Sequence, residues 1–375
     1  MPVSVSKASG SAEPQAVRNL GALAKLTAIP RSRIHSPQVG FRLMKTNRWV
    51  VIVLCLWASG AWAQENSVPD SEPEQVLVVG EQPGPRLWKV THGDHVLWIM
   101  GGLSPLPKRM TWRSREVEDV IASSQQVLMG IQVDTDVGFF TKITLLPSLA
   151  TVRRNPDGKK LGDVVPEQTY QRWLRLKQRY LGKDNDVEAW RPLFAAQKLY
   201  SAAIDKSGLV GRQPWIDDIR KLAKQHKVPV KTPTLELEIE KPRAVVKEFK
   251  KSSLDDIECF EKTLARVEND VDTLRQRANA WAIGDVEALE ELPFADVLNT
   301  CANAVLQTSS AQKQGLQDVP KRLRDTWVND AETALKKNRS TLAVVPIDQV
   351  LAEDGWVATL VARGYELDRG EEGKE

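Results

Sequence analysis

Histidine is scarce in this chain. Among 375 residues there are four, at positions 35, 92, 95 and 226. Imidazole is the commonest metal ligand and the commonest general base in proteins, so few candidates exist for either role. His92 and His95 flank Gly93-Asp94. A metal pair is conceivable there, but solvated turn residues are the simpler interpretation.

Long hydrophobic runs are also lacking, apart from Trp49–Trp57, which is too short to span a bilayer comfortably. Lys45 and Arg48 precede this run, and Ala61-Trp62-Ala63 follows it as a small-x-small cleavage site. This order is typical of a secretory signal peptide over residues 44–63. We therefore expect an exported chain, periplasmic or secreted, with no membrane span after signal cleavage.

Residues 1–43 have neither an apolar run nor a coherent pattern. We interpret them as an upstream extension that arises from a wrongly chosen start codon, with Met44 as the true start. A long basic region in front of the signal peptide is the alternative. Residues 64–86 are polar and rich in Pro and Glu, which favours a flexible lead-in.

An excess of positive charge is missing once these segments are set aside. The whole chain has a formal net charge of +3, but residues 1–43 contribute +5 and residues 44–63 contribute +2, which leaves −4 for the remainder. Proteins that bind nucleic acid usually carry a clustered positive charge. Nucleic acid is therefore not an expected partner.

Only two of the three cysteines, Cys259 and Cys301, follow the signal peptide. An even number of cysteines in an exported chain favours a disulfide between them. Two buried free thiols are the alternative. A metal site built on both is disfavoured because no histidine or further cysteine lies near either one in sequence.

Hydrophobic periodicity predicts an α/β fold. Leu87–Thr91 and His95–Met100 form a hairpin, helical spacing follows at Val117, Val120 and Ile121, and "QVLMGIQV" is an apolar strand. The chain end repeats this alternation. We expect a mixed sheet built from the N- and C-terminal parts and flanked by helices, with a largely helical section over about 141–336, all within one domain at 87–370.

Two turn segments stand out, Gly101–Ser104 and Val345–Asp348, because each follows a comparable strand near one end of the domain. This symmetry suggests that they face one site. Trp215, in "QPW" just before a helix, is the best candidate for an exposed recognition aromatic among the tryptophans, although a helix staple is the favoured interpretation.

Five segments, in this order, resemble the TraB/GumN family, which includes the Tiki-type proteases and is similar in architecture to erythromycin esterases. They are "LWKVTHGDHVLWIMGGLS", "QVLMGIQVD", "WAIGDVEAL", "LKKNRS" and "VVPIDQVLAEDGWVATLVARGYEL". The resemblance covers roughly residues 87–367. It implies metal-dependent hydrolysis, in which two Gly-x-x-His histidines and a strand glutamate hold a divalent ion that activates water.

This chain departs from the family pattern at each of those positions. Ser104 and Asp348 stand where the resemblance implies histidines, Val345 replaces the glycine of the second motif, and Gly130 replaces the glutamate. A serine hydroxyl and one carboxylate are a poor ligand set for an ion such as zinc. We therefore expect no cofactor, with a divalent metal only if the family chemistry persists.

Three functions remain open from the sequence. The first is a catalytically impaired relative that binds a peptide, glycan or cell-envelope partner in the former active-site cleft. The second is a hydrolase with a rearranged site, in which Ser104, Asp348, Asn338 and Arg339 surround a substrate, Asp348 acts as general base and Arg339 holds an anionic group. The third is a purely structural envelope protein.

A serine-lysine hydrolase, with Lys108 as the base of Ser104, is a minor variant of the second function. No Gly-x-Ser-x-Gly elbow supports it.

Overall fold

A computed structural model of the chain describes residues 84–369, except positions 111, 113, 212 and 293–296. The predicted extension 1–43, the signal peptide 44–63 and most of the lead-in lie outside these residues. The last part of the lead-in is described and is packed: the Gly84 amide donates a hydrogen bond to the carbonyl of Ala282 at 3.1 Å. The end of the predicted lead-in is therefore in contact with the chain at Ala282.

The elements alternate between strands and helices at both ends of the domain. The strands are β1 Leu87–His92, β2 His95–Gly102, β3 Leu106–Pro107, β4 Gln126–Leu128, β5 Gln132–Thr135, β6 Leu209–Val210, β7 Val230–Lys231, β8 Thr234–Leu237, β9 Ser340–Pro346 and β10 Glu366–Asp368. The α-helices are Arg115–Ser123, Phe139–Val152, Glu167–Tyr180, Pro192–Lys206, Pro214–Gln225, Pro242–Lys251, Ile257–Asn269, Val271–Ile283, Val286–Glu291, Val297–Leu306, Ser309–Lys313, Val319–Lys337, Ile347–Leu351 and Trp356–Ala362. Short 3₁₀ turns occur at Pro156–Gly158, Leu161–Asp163 and Asp186–Ala189.

Six strands form one mixed sheet in the order β10-β1-β2-β9-β4-β7. β1 is antiparallel to its neighbours β10 and β2, whereas β2, β9, β4 and β7 run parallel. The chain leaves β2 towards β4 on one side and leaves β9 towards β10 on the other. The two central strands therefore form a topological switch point, where ligands of open α/β sheets usually bind. This confirms the predicted mixed sheet, to which β7 adds one strand from the middle of the chain.

Helices cover the central strands. Val319–Lys337 and Trp356–Ala362 pack on each other, Val319–Lys337 packs against β2 and β9, and Arg115–Ser123 packs against β9 and against Pro214–Gln225. Most side chains of β2 and β9 are buried among them. No helix in the described part of the chain has both the length and the apolar character that a membrane crossing requires.

The central section has a separate hydrophobic core. The helices Glu167–Tyr180, Pro192–Lys206 and Ile257–Asn269 bury aromatic and aliphatic side chains against one another, with Trp173 and Phe260 at its centre. The disulfide between Cys259 and Cys301 joins this core to the helix Val297–Leu306, as the sequence predicts. The predicted helical section thus contains its own packed unit, together with the short strands β6, β7 and β8.

Local sequence signals locate several element ends correctly. The hairpin of β1 and β2 turns at Gly93-Asp94, as predicted. Gly284 ends one helix in the left-handed conformation, with φ at 73°, and Asp285 starts the next by accepting a hydrogen bond from the amide of Ala288. A glycine after a helix and an aspartate before one supply these two conformations at low cost.

Candidate functional site

The two turn segments lie side by side at the carboxyl edge of the sheet. In the parallel pairing of β2 and β9, Gly101 stands opposite Val345 and Gly102 opposite Pro346. Ser104 and Asp348 therefore each follow a paired position by two residues, on neighbouring strands. The structure brings these two predicted site positions to the same edge of the switch point.

Large side chains fill the space around the two glycines. A Cβ atom on Gly101 would lie 2.3 Å from Cδ1 of Ile347, and one on Gly102 would lie 2.3 Å from Cζ2 of Trp215. The indole of Trp281 donates a hydrogen bond to the carbonyl of Gly101 at 2.6 Å. The glycines are thus required by the close approach of these side chains, whatever the chemistry of the site.

Trp215 is a packing residue. It is 4% exposed, and its indole nitrogen donates a hydrogen bond to the carbonyl of Leu103 at 2.9 Å. The interpretation of this tryptophan as an exposed recognition aromatic is therefore wrong. Its ring anchors the start of the helix Pro214–Gln225 against the first turn segment.

Ser104 makes a structural contact. Its hydroxyl donates a hydrogen bond to the carbonyl of Gly211 at 3.0 Å. A carbonyl cannot take the proton of an attacking serine, so this contact does not activate the oxygen. The amine of Lys108 donates to the carbonyl of Asp205 at 3.2 Å, and the structure therefore shows no serine-lysine contact between these described residues.

Asp348 lies against a buried cation that the sequence did not identify. Nη2 of Arg277 is 3.5 Å from Oδ1 of Asp348. The Arg277 side chain is 3% exposed, while that of Asp348 is 38% exposed. Nη1 of Arg277 also donates to the carbonyls of Leu289 at 2.8 Å and Leu292 at 3.1 Å. The guanidinium thus links its own helix, Val271–Ile283, to the end of the helix Val286–Glu291 and to the second turn segment.

Burial and charge act on Arg277 in opposite directions. Desolvation lowers the pKa of its guanidinium, and the carboxylate of Asp348 raises it. An arginine keeps its proton at neutral pH in either case because its ordinary pKa is so high. The site therefore contains a permanent positive charge next to its exposed carboxylate.

Gly130 stands where the resemblance implies a strand glutamate, and it has space around it but no side chain that could bind a metal. Gly130 follows the end of β4, and a Cβ atom there would meet only the carbonyl oxygen of Val344, at 3.7 Å. Together with Ser104 and Asp348 this leaves one carboxylate at the three positions where the family pattern has metal ligands. No cluster of three or more His, Cys, Asp or Glu residues suited to a metal occurs in the described part of the chain. The residues present do not fit a divalent ion.

Asn338 and Arg339 lie at the opposite end of β9. The amide of Asn338 donates to Gln126 and Thr341, and Nη2 of Arg339 is 3.3 Å from Oδ2 of Asp94, in the hairpin turn. Seven residues of extended chain separate Arg339 from the carboxyl end of the strand, which corresponds to roughly 20 Å. The structure therefore does not bring Asn338 and Arg339 to Ser104 and Asp348, and the predicted grouping of all four around one substrate needs correction.

A crevice of about 210 Å³ opens beside the helix that carries Asp348. Its apolar lining comes from Trp88, Val286, Val350, Leu351 and Leu367. Charges of both signs stand around it, contributed by Arg86, Glu287, Glu290 and Arg369. The helix Val286–Glu291 forms one wall, and the carbonyls at its end are the ones that Arg277 binds.

The sequence model of the TraB/PrgY/gumN family matches residues 86–369, which include both turn segments, Arg277 and all six strands of the main sheet. No curated protein and no solved structure matches the chain. The family match spans most of the chain, so the protein is a member of the TraB/PrgY/gumN family.

Proposed function

We propose that this protein is an exported, non-hydrolytic member of its family, and that it binds a peptide segment of a cell-envelope partner in the crevice lined by Val350 and Leu351, which lie on the same helix as Asp348. Export rests on the signal-peptide pattern of residues 44–63, and the Cys259–Cys301 disulfide is in keeping with an oxidising compartment. The proposal has two parts, loss of metal chemistry and retention of a binding site, and each has its own support.

The contact between Arg277 and Asp348 carries the first part. A metal ion bound to the Asp348 carboxylate would lie at about 2.0–2.2 Å from its oxygen. Since Nη2 of Arg277 is 3.5 Å from that oxygen, the ion would be within about 6 Å of a buried positive charge. Because the Arg277 side chain is 3% exposed, solvent screens its charge little on that side, and repulsion between the two cations opposes metal binding. The arginine occupies the electrostatic role that a metal ion would otherwise have.

The crevice supports the second part. Its apolar floor and its mixed charges suit a peptide that has both apolar and charged side chains. The crevice lies at the β10 edge of the main sheet, because Leu367 belongs to β10 and Arg369 follows it closely. An extended segment of the partner can pair with this edge strand by backbone hydrogen bonds. A neutral glycan matches the apolar floor less well, which makes it the second choice among the partners expected from the sequence.

Metal binding and hydrolysis are measured on the same preparation to test the first part. The wild type and the variants Ser104→Ala and Asp348→Ala are dialysed against zinc, manganese or cobalt, and are then screened for peptidase and esterase activity. We expect no stoichiometric metal and no hydrolysis that depends on these residues. Activity lost in both variants would instead support a hydrolase with a rearranged site.

Peptide and glycan arrays test the second part. The variants are Leu351→Gln, a partly buried residue of the crevice, and Val361→Gln, an exposed valine on the helix Trp356–Ala362. We expect peptides to be bound by the wild type and by Val361→Gln and to be lost in Leu351→Gln. Equal binding by all three proteins contradicts the crevice as the binding site.

A further inference from the structure

Two neighbouring helices, Phe139–Val152 and Pro242–Lys251, form a surface that the proposed function does not use. They pack on each other and enclose a cleft of about 270 Å³. The cleft is lined by Thr144, Leu145, Ser148, Arg243, Val246, Lys247 and Lys250. We call these two helices and their cleft the helix-pair surface.

The first helix exposes apolar side chains in a stripe. Ile143 is 47% exposed and Leu146 is 41% exposed. Pro147 is exposed beside them, at the spacing of three and four residues that forms one helix face. Burial of such a face normally supplies most of the stability of a helix, so an exposed stripe indicates a contact outside the domain.

The second helix is basic, and none of its residues is buried. The two helices contain five basic side chains, those of Lys142, Arg243, Lys247, Lys250 and Lys251, and the single acidic side chain of Glu248. Their formal charge is therefore +4, on a chain whose part after residue 63 carries −4. The helix-pair surface is therefore positively charged, although the chain after residue 63 has a net negative charge.

Most of this charge is available to a ligand. Glu248 is paired with Lys313, and Lys142 lies near Asp134. Arg243 donates to the neutral hydroxyl of Thr144 at 3.0 Å. For Arg243, Lys247 and Lys250, no acidic group lies within 4.0 Å among the residues that the structure describes.

We propose that the helix-pair surface docks on an anionic lipid bilayer. Ile143, Leu146 and Pro147 enter the boundary between headgroups and acyl chains, while Arg243, Lys247 and Lys250 bind lipid phosphates at the cleft. Ser148 lines the same cleft, and its hydroxyl can donate to a phosphate oxygen, whereas the hydroxyl of Thr144 donates to the carbonyl of Thr141 at 3.0 Å. The apolar stripe suits the acyl chains of a bilayer, and the basic cleft suits its negatively charged headgroups. The proposal does not depend on the crevice or on the fate of metal chemistry.

Vesicle flotation of the full chain tests this docking. The vesicles contain either phosphatidylcholine alone or phosphatidylcholine with phosphatidylglycerol, at two salt concentrations. The apolar run Trp49–Trp57 is common to every variant, so differences between variants report on the helix-pair surface alone. We expect binding to the anionic vesicles that weakens as salt rises, because exposed charges are screened.

Charge and apolar contacts are tested by separate variants. Lys247→Glu with Lys250→Glu is expected to weaken binding at least about tenfold. Lys336→Glu with Lys337→Glu makes the same charge change on another exposed helix end and is expected to have little effect. Ile143→Asn with Leu146→Asn is expected to weaken binding about fivefold or more, and its control is the same change at Ile283 and Val361.

Several results would overturn the proposal. One is a loss of binding in the helix-pair variants that is the same for neutral and for anionic vesicles, and another is unchanged binding in both helix-pair variants. Binding of inorganic phosphate that is lost in Lys247→Glu with Lys250→Glu, without any binding of anionic vesicles, would identify a site for a soluble anion instead.

Discussion

Nη2 of Arg277 lies 3.5 Å from Oδ1 of Asp348, and Nη1 of the same guanidinium binds the carbonyls of Leu289 and Leu292. One buried arginine thus connects the second turn segment to the end of the helix Val286–Glu291. It supplies a fixed positive charge at the edge of the sheet where the family pattern has metal ligands. This single side chain holds the local structure together, and in the proposed function it also opposes the binding of a cation.

Replacement of Arg277 tests its structural contribution. Arg277→Met removes two hydrogen bonds to carbonyls and the ion pair, and we expect it to lower the free energy of unfolding by about 2–4 kcal/mol. Asp348→Asn keeps a hydrogen-bond acceptor next to the guanidinium and is expected to cost about 1 kcal/mol. Urea denaturation of the two single variants and the double variant measures their coupling. Strict additivity would show that the contact contributes nothing.

Replacement of Gly102 by alanine is expected to lower the stability of the protein more than the same replacement of Gly130. Gly102→Ala places Cβ 2.3 Å from the rigid ring of Trp215, so we expect a loss of about 1–3 kcal/mol in unfolding free energy. Gly130→Ala meets only an ordinary contact with the carbonyl of Val344 and is expected to stay within about 0.5 kcal/mol of the wild type. Thermal denaturation compares them. Equal effects would contradict the packing described at the first turn segment.

The pH dependence of stability is expected to reflect Asp256. This carboxyl is 2% exposed, and desolvation raises its pKa from 3.8 to about 6, although a hydrogen bond from the amide of Leu193 and the charge of Arg191 act in the opposite direction. A raised pKa means that the native state holds this proton more tightly than the unfolded state. The stabilisation is therefore complete below about pH 4 and is lost as pH rises through about 6.

Asp256→Asn isolates this effect because every other titrating group stays the same. Between pH 4 and pH 7 we expect the stability of the variant, relative to the wild type, to rise by about 2–3 kcal/mol. Denaturation curves at several pH values measure the difference. A constant difference across this range would show that the carboxyl titrates at its ordinary pKa.

The disulfide is expected to stabilise the helical core. Cys259 and Cys301 are separated by 42 residues, and closing a loop of this length contributes roughly 3–4 kcal/mol in the chain-entropy description. Cys259→Ala with Cys301→Ala should lower the unfolding free energy by this amount. Thiol titration of the unreduced protein should detect neither cysteine. Two reactive thiols in oxidised preparations would contradict the bond.

Features that depend on neighbours in sequence could be predicted. The hairpin at Gly93-Asp94 follows from the turn conformations that glycine and aspartate favour. The spacing of Val117, Val120 and Ile121 predicted a helix whose buried residues are those three. The two turn segments could be predicted to face one site because each follows a comparable strand near one end of the domain.

Features that depend on distant contacts could not be predicted. Arg277 meets Asp348 across 71 residues, and the periodicity of its helix shows only an amphipathic pattern. Asn338 and Arg339 were grouped with Asp348 because the segment "LKKNRS" resembles the family pattern. They precede β9 whereas Asp348 follows it, so the length of the strand prevents this grouping. Trp215 could be assigned to the core only once its helix was seen to pack over Gly102.

The most direct test of the central claim is the metal content of the purified wild-type protein after dialysis against zinc, manganese or cobalt, with hydrolysis measured before and after a chelator. The account predicts substoichiometric metal and no chelator-sensitive hydrolysis, because a buried guanidinium stands beside the one carboxylate of the site. One equivalent of metal per chain, together with peptide hydrolysis that the chelator abolishes, would contradict it.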